Sequence, residues 1–212
     1  MKTKHQHSYK VIKLLSCILL ISFVCAVGAK AQGAYKLSSS ADNVVKVLGS
    51  SNVHDWTMIA QNPVCEADFA STAGDIPKAL KSFAFSVDAK SLKSEHSSMD
   101  DRTYKTIKAD EFPKITFKLT AATVIPGAKD KFTINATGNL TIAGVTKVIT
   151  LQVNGDLRSD NTITCSGSQK IKLTDFKITP PSFMLGAMKV KDDLTIQYNL
   201  NFKKQQIVSQ LN

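Results

Sequence analysis

Residues able to do chemistry are scarce in this sequence. Its 212 residues include four histidines, four cysteines and one tryptophan, and half of those histidines and cysteines lie before residue 26. Beyond that point only His54 and His96 remain for acid–base work, and no Gly-x-Ser-x-Gly elbow offers either of them a serine. Cys65, Cys165, His54 and His96 stand at none of the close spacings that mark a zinc site. Asp100-Asp101 and Asp192-Asp193 are adjacent carboxylates, but neighbours on a strand face opposite sides and neighbours on a helix diverge by about 100°. They read as a helix-start charge and a turn. A hydrolase or redox enzyme built on His54 is therefore the weakest reading, and the chain is expected not to be an enzyme and to need no catalytic cofactor or metal.

Long apolar runs are few as well. The run from Leu14 to Gly28 is 15 residues, short of the roughly twenty a membrane-spanning helix needs. Lys2, Lys4, Lys10 and Lys13 precede it without an acid, and Ala29-Lys30-Ala31 follows, which is the order of a secretory signal peptide cleaved after Ala31. Cys17 lies inside the run and Cys25 follows bulky Phe23-Val24, so neither is placed for lipidation. Residues 1–31 thus read as a signal peptide and 32–212 as one domain, periplasmic or secreted. Removing the first segment takes five lysines and no acid, leaving 22 Lys plus Arg against 17 Asp plus Glu, a charge of +5 in place of +10. The remaining lysines are scattered rather than striped, which argues against nucleic acid and leaves a transient membrane-surface contact open. Nothing in the sequence decides for or against a homodimer. Cys65 and Cys165 can either bridge in an oxidising compartment or stay as buried thiols.

Period two is abundant. Phe83, Phe85 and Val87 alternate with Ala84, Ser86 and Asp88; Ile115, Phe117 and Leu119 alternate with Thr116 and Lys118. Phe132, Ile134, Ala136, Leu140 and Ile142 lead to an Ala143-Gly144 turn, and Val145, Ile149, Leu151 and Val153 follow. Leu194, Ile196, Tyr198, Leu200 and Phe202 oppose Thr195, Gln197, Asn199 and Asn201. Weaker strands span 44–48, 53–59, 64–69 and 163–173. Gly49, Asn62-Pro63, Gly74-Asp75, Pro126-Gly127 and Asn154-Gly155 punctuate them. One segment departs from this period: between His96 and Ala109 the spacing of Met99, Thr103 and Ile107, with Ser97-Ser98 three positions before Asp100-Asp101, predicts a short helix with a capping box. Eight or more strands with one helix predict an all-β antiparallel barrel or sandwich with a plug or lid.

Two local features suggest a site. If His54, Trp56 and Met58 face inward, His54 supplies a polar contact beside an aromatic wall; the plainer reading is a Trp packing the core. The apolar segment from Pro180 to Met188 cannot be a central strand, so Phe183, Met184 and Leu185 either fold over a barrel mouth or fill one end of the core.

Three stretches resemble the YceI-like family of exported, lipocalin-like barrels that bind polyisoprenoid lipids. Asp101-Arg102 through Phe112-Pro113-Lys114-Ile115-Thr116-Phe117 is similar to its helix and strand entry. Residues 138–147, Gly-Asn-Leu-Thr-Ile-Ala-Gly-Val-Thr-Lys, resemble its central hairpin, and Lys172 to Ile178 resemble its Arg-x-Asp-Phe-Gly-Ile corner. Lys172 replaces the usual Arg, Lys177 the usual Gly, and Thr103 stands where Asp is common. The resemblance covers about 34–203 and implies an eight-stranded antiparallel barrel holding an isoprenoid quinone or other lipid. The candidate pocket-lining residues are His54, Trp56, Phe83, Phe85, Met99, Arg102, Ile107, Phe117, Phe176, Phe183, Met184 and Leu185. The rival expectation is a packed, non-catalytic structural or interaction module.

Overall fold

A computed structural model describes residues 35–72 and 74–205; the expected signal peptide lies outside the described residues. Alternating side chains become thirteen strands, several of which continue one another. β1 (Tyr35–Leu37) and β2 (Val44–Ser50) form one broken stave, and β3 (Asp55–Ala60) with β4 (Val64–Ala70) the next. β5 (Ala79–Asp88) and β6 (Leu92–Lys93) make a third, then β7 (Lys114–Pro126), β8 (Lys131–Ile142), β9 (Val145–Leu157), β10 (Ile163–Lys172) and, last of the eight, β13 (Asp193–Lys204). Every pairing is antiparallel, and β1 closes the barrel on β13 through Tyr35↔Lys204 and Leu37↔Phe202. The result is a closed eight-strand barrel with one helix. Eight strands leave room for packed side chains or for one ligand.

The stave break between β1 and β2 is sealed by polar groups. The Asn201 amide donates to Asn43 Oδ1 at 2.7 Å, Thr164 Oγ1 donates to Asn201 Oδ1 at 2.8 Å, and Asn43 Nδ2 donates to the Ser38 carbonyl. Buried polar atoms are thereby paired where a strand ladder is missing, which is what makes the break tolerable. The floor of the barrel at this end is aromatic. Tyr35 meets Phe69 edge-on at 5.3 Å, Phe69 meets Phe202 at 5.9 Å, and Phe83 meets both Phe202 and Phe117 at 6.1 Å.

Two expected turns are strand interior instead. Gly49 lies in β2 and Asn154-Gly155 in β9. Their lack of a Cβ is used for close approach: a methyl group on Gly49 would collide with the Trp56 ring across the ladder, and one on Gly155 with Phe132. Glycine therefore marks a cross-strand aromatic seat rather than a chain reversal. Ala143-Gly144 does turn, with φ of 48° and 74°, the paired left-handed conformations of a two-residue hairpin.

The helix, α1 (Ser97–Thr106), is shorter than the expected 96–109 and forms no capping box. His96 is its N-cap without a side-chain bond, and Asp100 turns the other way. Its Oδ1 accepts from the Ser94 amide at 2.7 Å and the Ser94 hydroxyl at 2.8 Å, while Oδ2 lies 3.6 Å from Lys93 Nζ. Asp100 thus anchors the approach to the helix, not the helix start. Burial works against its charge, but the Ser94 donors and Lys93 outweigh it and hold the carboxyl below its ordinary range.

Candidate functional site

Inward parity on all eight staves produces a tunnel rather than a solid core. It encloses about 400 Å³, within the range of small-molecule pockets. Its length follows from β13, whose residues Leu194, Ile196, Tyr198, Leu200 and Phe202 all line it. Eight rises of about 3.4 Å along a strand tilted by roughly 40° give on the order of 20 Å along the barrel axis. Such a shape suits a chain better than a disc.

Almost every lining group is apolar. Among the lining residues Arg102 carries the only fixed charge, and no Lys, Asp or Glu is present. Polar groups gather at one end: Ser51 and His54 between β2 and β3, His96, Ser98 and Arg102 on or before α1, and Gln169 on β10. This end is the mouth, and α1 crosses it with Met99, Arg102, Thr103, Thr106 and Ile107 facing in, a spacing of three and four residues that sets them on one helical face.

A second element flanks the mouth. β11 (Ser182–Phe183) and β12 (Met188–Lys189) form a small hairpin that β2–β3 holds in place. Asn52 Nδ2 donates to the Ala187 carbonyl at 2.8 Å, the Lys189 amide donates to Asn52 Oδ1 at 2.7 Å, and Ser51 bridges Val190. Phe183 turns back over the mouth, where its ring lies 4.6 Å from the Arg102 guanidinium carbon. That cation–π contact spans from helix to hairpin.

Of the residues expected to line a pocket, His54, Trp56, Phe83, Phe85, Met99, Arg102, Ile107, Phe117, Phe176 and Phe183 are on the tunnel wall. Met184 and Leu185 are not. They form the hairpin tip with left-handed φ of 52° and 55° and point to water, Met184 being 74% exposed and Leu185 completely so. Phe183 is the last residue of the strand, and the reversal after it carries the next two side chains outward. His54 lies in the turn before β3, not in the strand, with Nδ1 2.9 Å from the Asp55 carbonyl. Trp56 and Met58 do face inward.

Sequence reading missed Gln169, Ser98 and His96 at the mouth. Gln169 shares parity with Cys165 and Ile171 and could have been found by it; the other two depend on how α1 sits. The wall beside Gln169 is unusual, because β9 and β10 are paired only between Ile163–Ser166 and Leu157–Asn154. Tyr198 stands there against Gly167, its buried hydroxyl without a hydrogen-bond partner among the described residues, and burial pushes its pKa up to about 12. Cys65 and Cys165 are free and buried, so the bridge is not formed. Burial raises both thiols to about 12, with Cys65 adding to the effect on Cys165. Among the described residues no three His, Cys, Asp or Glu side chains converge as metal ligands.

Comparison with known proteins adds to this geometry. The profile of the YceI-like domain matches residues 36–202. Among solved structures, BcnA of Burkholderia cenocepacia is similar with a TM-score of 0.62 at 20% identity, over 76% of this chain and 96% of that one. A polyisoprenoid binding domain from Saccharophagus degradans, implicated in plant cell wall breakdown, gives 0.60 at 15% identity, over 82% and 99%. The YCEI protein of Campylobacter jejuni gives 0.53 at 22%, over 85% and 94%. No curated protein sequence matches the chain.

Proposed function

The chain belongs to the YceI-like domain family, and from that premise we propose that it is a binding protein that takes one long apolar isoprenoid or related lipid into the barrel, as a carrier or a store. The tunnel carries this reading: an apolar bore on the order of 20 Å long whose sole fixed charge is at its mouth. A packed structural module would have filled that space. Burying alkyl carbon contributes about 0.8 kcal/mol per CH₂, so chain length alone supplies affinity, while the ordering of a flexible guest subtracts from it.

The mouth sets the head-group class. Arg102 donates only, the His54 and His96 rings and Gln169 can donate, and no carboxylate lines the tunnel. A head rich in acceptors, such as the carbonyls of a quinone or a phosphate, satisfies this end. The chemistry is retention rather than turnover, since nothing in the lining pairs a nucleophile with a base. The N-terminal pattern of a signal peptide supports a location in the cell envelope or outside the cell.

The test is direct. Protein isolated from its native envelope is extracted with organic solvent and the extract analysed by mass spectrometry; an isoprenoid lipid in stoichiometric amount is expected. In parallel, Trp56, the only tryptophan and a tunnel residue, reports on added isoprenoid quinone by fluorescence quenching. An empty extract together with no saturable quenching overturns the reading.

A further inference from the structure

Three large apolar side chains at the mouth end face water. Met184 and Leu185 form the hairpin tip, and Val53, in the β2–β3 turn to which Asn52 ties that hairpin, is 61% exposed. Both tip residues have left-handed backbone, followed by Gly186 at φ 91°, a conformation that non-glycine residues avoid. Folding here holds two apolar groups out in solvent by means of unfavourable dihedrals, and such outliers point toward function. Charge on the hairpin itself has one sign: from 177 to 191 the chain carries Lys177, Lys189 and Lys191, all exposed, and no acid. Asp192 and Asp193 follow directly, the Asp192 carboxylate accepting from the Thr174 amide and hydroxyl, and Asp55 and Asp175 stand at the margin.

We propose that this hairpin tip, with Val53 beside it, docks the barrel mouth onto an anionic phospholipid bilayer. Apolar side chains entering the headgroup boundary with lysines around them is the arrangement of interfacial membrane anchors. A second copy of this chain fits the patch poorly: three side chains fall far short of the roughly 800 Å² per partner that a specific interface buries. Docked this way, an apolar chain passes between bilayer and tunnel without crossing water. The docking stands on the hairpin itself, and only this transfer step rests on the reading of the tunnel as a lipid site.

Protein isolated from its native envelope, as wild type and as Leu185→Gly, is sedimented with vesicles of phosphatidylethanolamine and phosphatidylglycerol and with vesicles of phosphatidylcholine. Leu185→Gly keeps the left-handed turn and removes the side chain, so its melting temperature is expected to hold or rise. Wild type is expected to partition onto the anionic vesicles, less so at high salt, and Leu185→Gly about tenfold less, the loss of one inserted leucine. Quenching of Trp56 by detergent-solubilised isoprenoid quinone, measured on both proteins, keeps tunnel binding separate: vesicle binding without quenching upholds docking and removes the transfer step. Failure of the wild type to bind anionic vesicles, or equal binding by Leu185→Gly, overturns the proposal. So does a concentration-dependent dimer that Leu185→Gly abolishes.

Discussion

Arg102 is the residue on which head-group selection turns. It is the one fixed charge in the lining, and Phe183 fixes its orientation from the hairpin side. Arg102→Ala is expected to weaken binding of a quinone or phosphate-headed isoprenoid by about 1–3 kcal/mol, the scale of a charge-assisted hydrogen bond, while leaving a headless isoprenoid hydrocarbon nearly unaffected. Calorimetric titration with both ligands checks the difference. Cys65 and Cys165 are the opposite case, groups whose chemistry burial removes. With both thiols near 12 almost no thiolate is present at pH 8, so alkylation mapped by mass spectrometry is expected to leave both unmodified in the folded protein and label both after denaturation. Sequence reading could not choose between bridge and thiol, because the choice depends on how far apart two staves hold the two residues.

Elements show why some signals were legible and others were not. Alternation in β7, β8, β9 and β13 was plain because each turns alternate residues into the tunnel, Ile115, Phe117 and Leu119 from β7 and Ile149, Leu151 and Val153 from β9 among them, and the residues between them away from it. Glycine misled, since Gly49 and Gly155 look like punctuation until their aromatic partners are known. Gly155→Val is expected to cost about 1–3 kcal/mol through collision with Phe132, and adding Phe132→Ala should recover part of that loss in a double-mutant cycle. The capping-box pattern misled for a related reason. Its spacing was correct, but Ser94 competes for Asp100 and holds it. Asp100→Asn is expected to lower stability by about 1–2 kcal/mol at neutral pH. Because the folded carboxyl sits below the unfolded value near 3.9, this contribution is complete well above that value and fades as pH falls through the folded pKa. Urea melts of wild type and variant should therefore converge in acid. The hairpin tip carries its own cost, since each non-glycine residue in left-handed backbone loses about 1–2 kcal/mol, an expense that stability alone does not explain.

At the scale of the whole molecule, periodicity carried the antiparallel all-β class, barrel or sandwich, and the family resemblance chose the barrel, whereas no periodicity showed the tunnel. Ile134, Ala136 and Leu140 have the same inward parity whether an interior is solid or hollow; the difference lies in the sum of inward volumes against barrel radius, which no local pattern encodes. Filling the bore tests it: Ala136→Phe should abolish quinone quenching of Trp56 while the melting temperature stays within a few degrees, because the ring has empty space to enter. A solid interior would instead lose several kcal/mol by overpacking.

Closure of the barrel sets the order in which the protein can be made. β13 is the last strand among the described residues, and it joins β10 on one side to β2 and β1 on the other, so a chain that has not yet reached β13 has neither a shut wall nor a sheltered interior. Pairing Tyr35 with Lys204 spans nearly the entire described sequence, a separation that makes folding slow. A chain without β13 therefore stays open, and any guest is enclosed only after this last stave has locked the first.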